Sequence, residues 1–203
     1  HLCKEIIDNN RDECFKKESP GNTIRIKITN DYIIASDNGR GIPTNLLRVV
    51  HETNQAGSNM VRAHGTTAGE NGTGSTAVVA MAKELIVTTF RPTEKKKLTL
   101  IYNEGILKDE ILEDYNGKDS GLTTKFTPSK KILGTAGIPV EQLIEWLENF
   151  HYTLPSSIKM MYEYNGENHI INHIPLFKYF DNIIDDDKRL CEPVVIECDG
   201  SLQ

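Results

Sequence analysis

Apolar residues recur along this chain at two different spacings. Over residues 2–15, LCKEIIDNNRDECF, Leu2, Ile6 and Ile7 form a stripe of helical period, which predicts a helix. The segment ESPGN, 18–22, ends it. In TIRIKIT, 23–29, Ile24, Ile26 and Ile28 fall on every second position, the period of a half-buried strand. Asn30-Asp31 supplies a turn, and the return strand over 32–36 delivers the chain to Asp37. Residues 44–60 read as a short helix and then a loop. A Gly-, Thr- and Asn-rich loop follows from Gly65 to Gly74, and then a helix over 75–84 with Ser75 or Thr76 at its start. Strands are predicted at 85–90, 97–103, 105–112 and 122–128. An amphipathic helix spans 139–150, with Pro139 near its first turn. SIKMMYEYN, 157–165, and HIINHI, 169–174, form a last hairpin around Asn165-Gly166. VVIEC, 194–198, reads as the first strand of something that continues. No repeat is visible. Helices interleave with antiparallel strands without regular βαβ alternation, which predicts an α+β fold in two layers.

Composition narrows the class. The chain has 203 residues, 38% hydrophobic and 26% charged, enough for one sizeable core. No apolar run approaches the ~20 residues of a membrane-spanning helix, and no signal peptide opens the chain. The net charge is −6, so a DNA-gripping face is not expected here; any DNA contact would come from regions outside this chain. The one tight basic run, Lys95 to Lys97, reads as a solvated hairpin end. Cys3, Cys14, Cys191 and Cys198 lack metal-site spacing and read as reduced thiols of a cytoplasmic protein. His169 and His173 are four apart, but HIINHI reads better as strand than as a metal-bearing helix.

Three segments carry candidate chemistry. Glu5, Asn9 and Asp12 share one face of the first helix by their four- and three-residue spacing. A solvated face would account for them, except that short side chains and a mid-helix Asn9-Asn10 pair are poor choices for it. An amide oxygen at Asn9 can complete the oxygen shell of Mg²⁺, and a carboxylate one turn away at Glu5 can deprotonate a water. The loop GTTAGENGTGSTAVVA runs from Gly65 into a helix. It is either an anion-binding N-terminus or a flexible linker, and it matches neither a P-loop nor a dinucleotide fingerprint. DNGRGIP, 37–43, is over-specified for a turn. Asp37 can accept from an exocyclic amine, Gly39 and Gly41 allow close approach to a flat ring, and Ile42 and Pro43 add an apolar wall.

EIIDNNRDE at 5–13, DNGRGIP at 37–43 and GENGTGSTAVVA at 69–80 resemble, in order and spacing, the three ATP-site motifs of the GHKL ATPases. The likeness is strongest to the ATPase domain of type II DNA topoisomerases, with a third motif nearer the phage and eukaryotic forms. It covers residues 1 to about 185. It implies the Bergerat fold, a two-layer α/β sandwich with a mixed, mostly antiparallel sheet and helices on one face. It implies ATP and Mg²⁺ as cofactors, Glu5 as general base and Asn9 as Mg²⁺ ligand. Asp37 would hold the adenine amine. Arg40, Gly41, Ile42 and Pro43 would line the base pocket, and Gly69, Asn71, Gly72, Thr73 and Gly74 would form a lid over the phosphates. Asp12 and Glu13 would support the first helix.

Where the family carries a Thr on the GLTTKF strand, this chain has Leu122; Thr124, on the same strand face, is the substitute, and Thr123 points away. The expected organisation is an ATPase domain over 1–185 and the start of a transducer-like domain over 186–203. The resemblance further implies an A-type cleavage subunit or domain as partner and an ATP-dependent homodimer in the full-length protein. This chain alone is expected to be a monomer that binds nucleotide but turns it over poorly. Histidine kinases share the fold but lack a Glu four residues before the Asn. MutL-type and heat-shock ATPases keep that Glu but lack RGIP and GxNGxG together. A non-catalytic nucleotide-binding module is the remaining alternative, and intact Glu5, Asn9 and Asp37 speak against it.

Overall fold

Strand alternation builds the core. The computed structural model describes residues 1–53, 74–134, 137–175 and 178. Eight strands form one sheet: β1 (Thr23–Ile28), β2 (Ile33–Asp37), β3 (Ala82–Arg91), β4 (Lys96–Asn103), β5 (Ile106–Asp114), β6 (Gly121–Pro128), β7 (Lys159–Tyr164) and β8 (Glu167–Ile171). Their spatial order is β5-β4-β3-β6-β2-β1-β7-β8. Every pairing is antiparallel except β1 with β7. This is the mixed, mostly antiparallel sheet anticipated above.

Register lines the alternating residues into rows on one face. Ile28, Ile33, Phe126, Leu85 and Tyr102 pair in succession across five strands, and each is buried. The next row is Ile26, Ala35, Thr124, Val87 and Leu100. In the third row Ile24 pairs with Asp37, so a carboxylate takes a position that the pattern elsewhere gives to apolar side chains.

Helices α1 (Leu2–Phe15), α2 (Thr44–Glu52) and α3 (Gly74–Met81) pack on this face. α1 contributes Cys3, Ile6, Ile7 and Cys14 to the core, α2 contributes Leu47, and α3 contributes Val78 and Val79. Ile7 is fully buried; truncating such a side chain to Ala costs about 2–5 kcal/mol. α5 (Val140–Glu148) buries Val140, Leu143 and Leu147. Trp146 of α5 sits under Lys4, and Phe150 sits under Arg11, so this region flanks α1. The opposite sheet face carries exposed or half-exposed ion pairs, Lys27 with Glu163 and Lys125 with Glu84. Edge strand β5 is exposed along nearly its whole length and rich in Asp and Glu, which discourages pairing with other chains.

Two predicted helices are corrected. The helix expected over 75–84 ends at Met81, because Ala82 and Glu84 pair with Pro128 and Thr127 of β6. Local helix propensity yields there to sheet pairing. The helix expected over 139–150 gives way to a 3-10 turn at Asn149–Tyr152. A four-residue helix, α4 (Lys130–Leu133), has no counterpart in the sequence reading. HIINHI begins as strand: His169 lies in β8, stacked on Tyr162, and the His173 ring meets the Leu154 carbonyl. Among the described residues no group of three or more His, Cys, Asp or Glu could hold a metal, and no helix is long and apolar enough to cross a membrane. The VVIEC segment, Cys191, Cys198 and the proposed boundary at residue 186 lie outside the described residues.

Candidate functional site

Asp37 closes β2 with its carboxylate turned toward α1. Its Oδ2 accepts from Asn10 Nδ2 at 2.6 Å, and its Oδ1 accepts from the Gly39 N–H at 2.8 Å. The Leu122 backbone N–H of β6 also supports it. Burial nevertheless raises its pKa to about 6, against these hydrogen bonds, and the nearby Glu13 charge adds to the rise. The carboxylate is therefore ionised at neutral pH but close to its titration. A buried, charge-assisted bond of the Asn10 kind is worth about 1.5–3 kcal/mol. Asn10 Oδ1 is itself buried without a hydrogen-bond partner among the described residues.

The segment after Asp37 is held from two sides. From α1, Glu13 receives the Arg40 backbone N–H at 3.0 Å and the Arg40 guanidinium in a fork at 2.8 and 3.0 Å. Those bonds keep the Glu13 carboxyl below its usual range even though desolvation opposes them. From β3, Arg91 donates to the carbonyls of Arg40 and Gly41 at 2.7 and 3.3 Å, and the fully buried Thr89 donates to the Ile42 carbonyl at 2.8 Å. Arg91 is fixed in turn by Glu94, which also receives the N–H and hydroxyl of Thr44 at the start of α2.

Both central glycines are required. Gly41 has φ +68°, and a Cβ there would stand 2.8 Å from the Gly121 carbonyl. A Cβ on Gly39 would run into the Glu13 side chain. Ile42 packs against the core, and Pro43 precedes the first turn of α2.

The other end of α1 is looser. Glu5 lies in the first helical turn with a side chain 27% exposed. Its carboxylate occupies the space where a Cβ on Gly74 would project, so Gly74 lets the start of α3 come down onto it. Asn9, one turn on, is exposed. Glu5 and Glu13 are eight residues apart, about 12 Å along the helix axis. One helix thus carries both ends of the candidate site.

α1 reaches Asp37 through Asn10 and Arg40 through Glu13, and its Glu5 meets the start of α3 at Gly74. Thr124 is buried on the face that Asp37 shares, as anticipated, but it pairs with Ala35; the β6 residue level with Asp37 is Leu122. Gly69, Asn71, Gly72 and Thr73 lie outside the described residues, and of the glycine loop only Gly74 is described. Sequence reasoning missed Asn10, Thr89, Arg91 and Glu94. Asn10 alone left a signal, as an amide on the buried side of a helix. Sequence reasoning also gave Glu13 only a helix-supporting role, whereas the structure ties Glu13 to Arg40.

No family model matches the chain. It is similar to the B subunit of DNA gyrase from Campylobacter jejuni, 27% identical over 169 residues, covering 76% of this chain and 21% of that protein. It is also similar to the B subunit of DNA topoisomerase 4 from Borreliella burgdorferi, 31% identical over 134 residues, covering 66% and 22%. Among solved structures it matches the 43K ATPase domain of Thermus thermophilus gyrase B, solved in complex with an aminocoumarin. That match has a TM-score of 0.70 and 20% identity, over 92% of this chain and 49% of that one. The chain spans about a fifth of the length of these curated relatives. Fold and motifs together match those of a GHKL ATPase domain. Within that class the relatives found are type II topoisomerase B subunits, gyrase B and topoisomerase IV B, and the fold is that of a gyrase B ATPase domain.

Proposed function

We propose that this chain binds ATP with Mg²⁺ and, in the full-length protein, hydrolyses it to drive ATP-gated dimerisation and DNA strand passage. The observation that carries this reading is the buried Asp37 carboxylate, held by Asn10 and Gly39 on the helix-covered face, with Glu5 on the same helix against the start of α3. Asp37 accepts from the adenine amine. Gly39, Gly41, Ile42 and Pro43 give the ring close backbone approach and an apolar wall, while Arg40, clamped by Glu13, borders the base.

Asn9 offers one exposed amide oxygen, and no cage of charged ligands surrounds it among the described residues. That donor set fits a Mg²⁺ held mostly by phosphates and waters, not a dedicated protein site. The ion would supply charge neutralisation to the phosphates. Glu5 takes the proton of a water as that water's oxygen bonds to the γ-phosphorus, and the bond to the β–γ bridging oxygen breaks. The glycine loop through Gly74 serves as the lid. Thr124, level with Ala35, is a weaker candidate for base contact than a Thr at position 122 would be. The partners on this reading are an A-type cleavage subunit or domain and a second copy of the full-length chain, with DNA held outside this region. Residues 186–203 would begin the transducer, and the working compartment is the cytoplasm.

Calorimetry of the chain with Mg-ATP tests binding; no detectable heat or competition would sink the reading. Steady-state turnover of the full-length protein, with Glu5→Ala as control, tests the chemistry. A control as active as the parent would remove Glu5 as the general base.

A further inference from the structure

Asn10 has so far served only to hold Asp37, yet it is 1% exposed in the middle of α1, beside Ile6, Ile7 and Cys14. An apolar residue would suit that position better. Its Nδ2 is committed to Asp37 Oδ2 at 2.6 Å. Its Oδ1 is buried with no partner among the described residues. A buried amide oxygen left unpaired is costly, and native proteins keep few of them.

The bond to Asp37 also settles which way the amide faces. Flipping the group would set its oxygen against the carboxylate and lose the hydrogen bond. Asn10 therefore leaves its oxygen, an acceptor, as the unpaired atom of the amide next to Asp37. The neighbouring side chains do not duplicate it. Leu122 offers only its backbone N–H, Thr89 gives its hydroxyl to the Ile42 carbonyl, and Thr124 stands level with Ala35.

Resting on the ATP reading, we propose that Asn10 is a second base-reading residue. Its Oδ1 and the Asp37 carboxylate form a paired acceptor for the two hydrogens of a 6-amino purine, with Asn10 reached directly or through one bound water. A 6-oxo purine brings an acceptor to the same place and meets two acceptors locked in orientation. The site thus selects ATP over ITP by two contacts, of which the Asn10 contact accounts for part.

The test is the ratio of Mg-ATP to Mg-ITP affinity, measured by calorimetry on the chain and on Asn10→Ala and Asn10→Ser, each checked for folding by its thermal transition. The Ala variant should weaken ATP more than ITP and shrink the ratio by about tenfold, the size of one hydrogen bond. The Ser variant, which can both donate and accept, should recover part of the ratio and serves as the reading if the Ala variant does not fold. A purely structural Asn10 would weaken both nucleotides in parallel, so an unchanged ratio in both variants overturns the proposal while leaving the ATP reading standing. A parent chain that takes no ATP overturns both.

Discussion

The two ends of α1 differ in how much is settled before any ligand arrives. At the Asp37 end, the carboxylate, Asn10, Gly39, Glu13 and Arg40 are joined by hydrogen bonds of 2.6 to 3.0 Å, and β3 anchors the backbone carbonyls that follow. At the Glu5 end, the carboxylate is partly exposed and Asn9 is exposed. A group already held in place loses little freedom on binding, so a rigid base pocket gives affinity at low entropic cost. A reacting group must instead meet phosphates, a cation and a water in one geometry, and that geometry is completed by parts that close over it. On the proposed reading, binding at one end and chemistry at the other are separable for that reason.

The sharpest break of this contrast is at Glu5. Glu5→Gln in the full-length protein should lower turnover by about 10²–10⁴-fold, the usual range for a general base, with ATP affinity of the chain nearly unchanged in calorimetry. An equal loss of affinity would erase the distinction between the two ends. Next is Asp37→Asn, which removes the charge that the pocket is built around. It should weaken ATP binding by about 10–100-fold while the thermal transition stays cooperative.

A smaller effect comes from pH. The Asp37 pKa is raised to about 6 from 3.8. In the unliganded protein the folded state holds that proton more tightly than the unfolded chain does. This group's contribution to stability is therefore fully present below pH 3.8 and lost as pH rises through about 6. On the proposed reading binding runs the opposite way, because the amine would donate to the ionised carboxylate. ATP affinity should fall by up to about tenfold per pH unit below about 6, and Asp37→Asn should flatten that profile. Titrations from about pH 5 to about 8 decide it. The smallest effect is expected of Glu13→Gln, which loosens a partly exposed clamp on Arg40 and should cost only a few-fold in ATP affinity. A loss as large as that of Asp37→Asn would mean that Arg40 binds the nucleotide far more strongly than its tie to Glu13 suggests.

Much of this was legible in one dimension. Alternation at Ile24, Ile26 and Ile28 announced β1, and the same parity continued through Ile33, Ala35 and Asp37 in β2. The Glu5–Asn9 spacing and DNGRGIP pointed to the site because short polar groups stood where propensity and solubility asked for others. Less legible were contacts made across the sheet. Nothing local marks Thr89 or Arg91 as the anchors of residues 40–42, since their partners are some fifty residues away. The start of β3 was hidden for a related reason: AKE continues a helical pattern locally, and only pairing with Pro128 and Thr127 makes it strand.

The sequence by itself determined the α+β class, the periodicity of the principal helices and strands, and the candidate residues of the site. Those follow from periodicities of two and 3.6 and from side-chain chemistry, which every local window carries. Only the tertiary structure decided the strand order, with β6 between β3 and β2, and so set Leu122 rather than Thr124 level with Asp37. It alone turned Asn10 inward onto Asp37 and aimed Glu13 at Arg40. Such choices depend on which distant segments come to lie side by side, and burial then fixes whether a polar group is spent on a neighbour or left for a ligand.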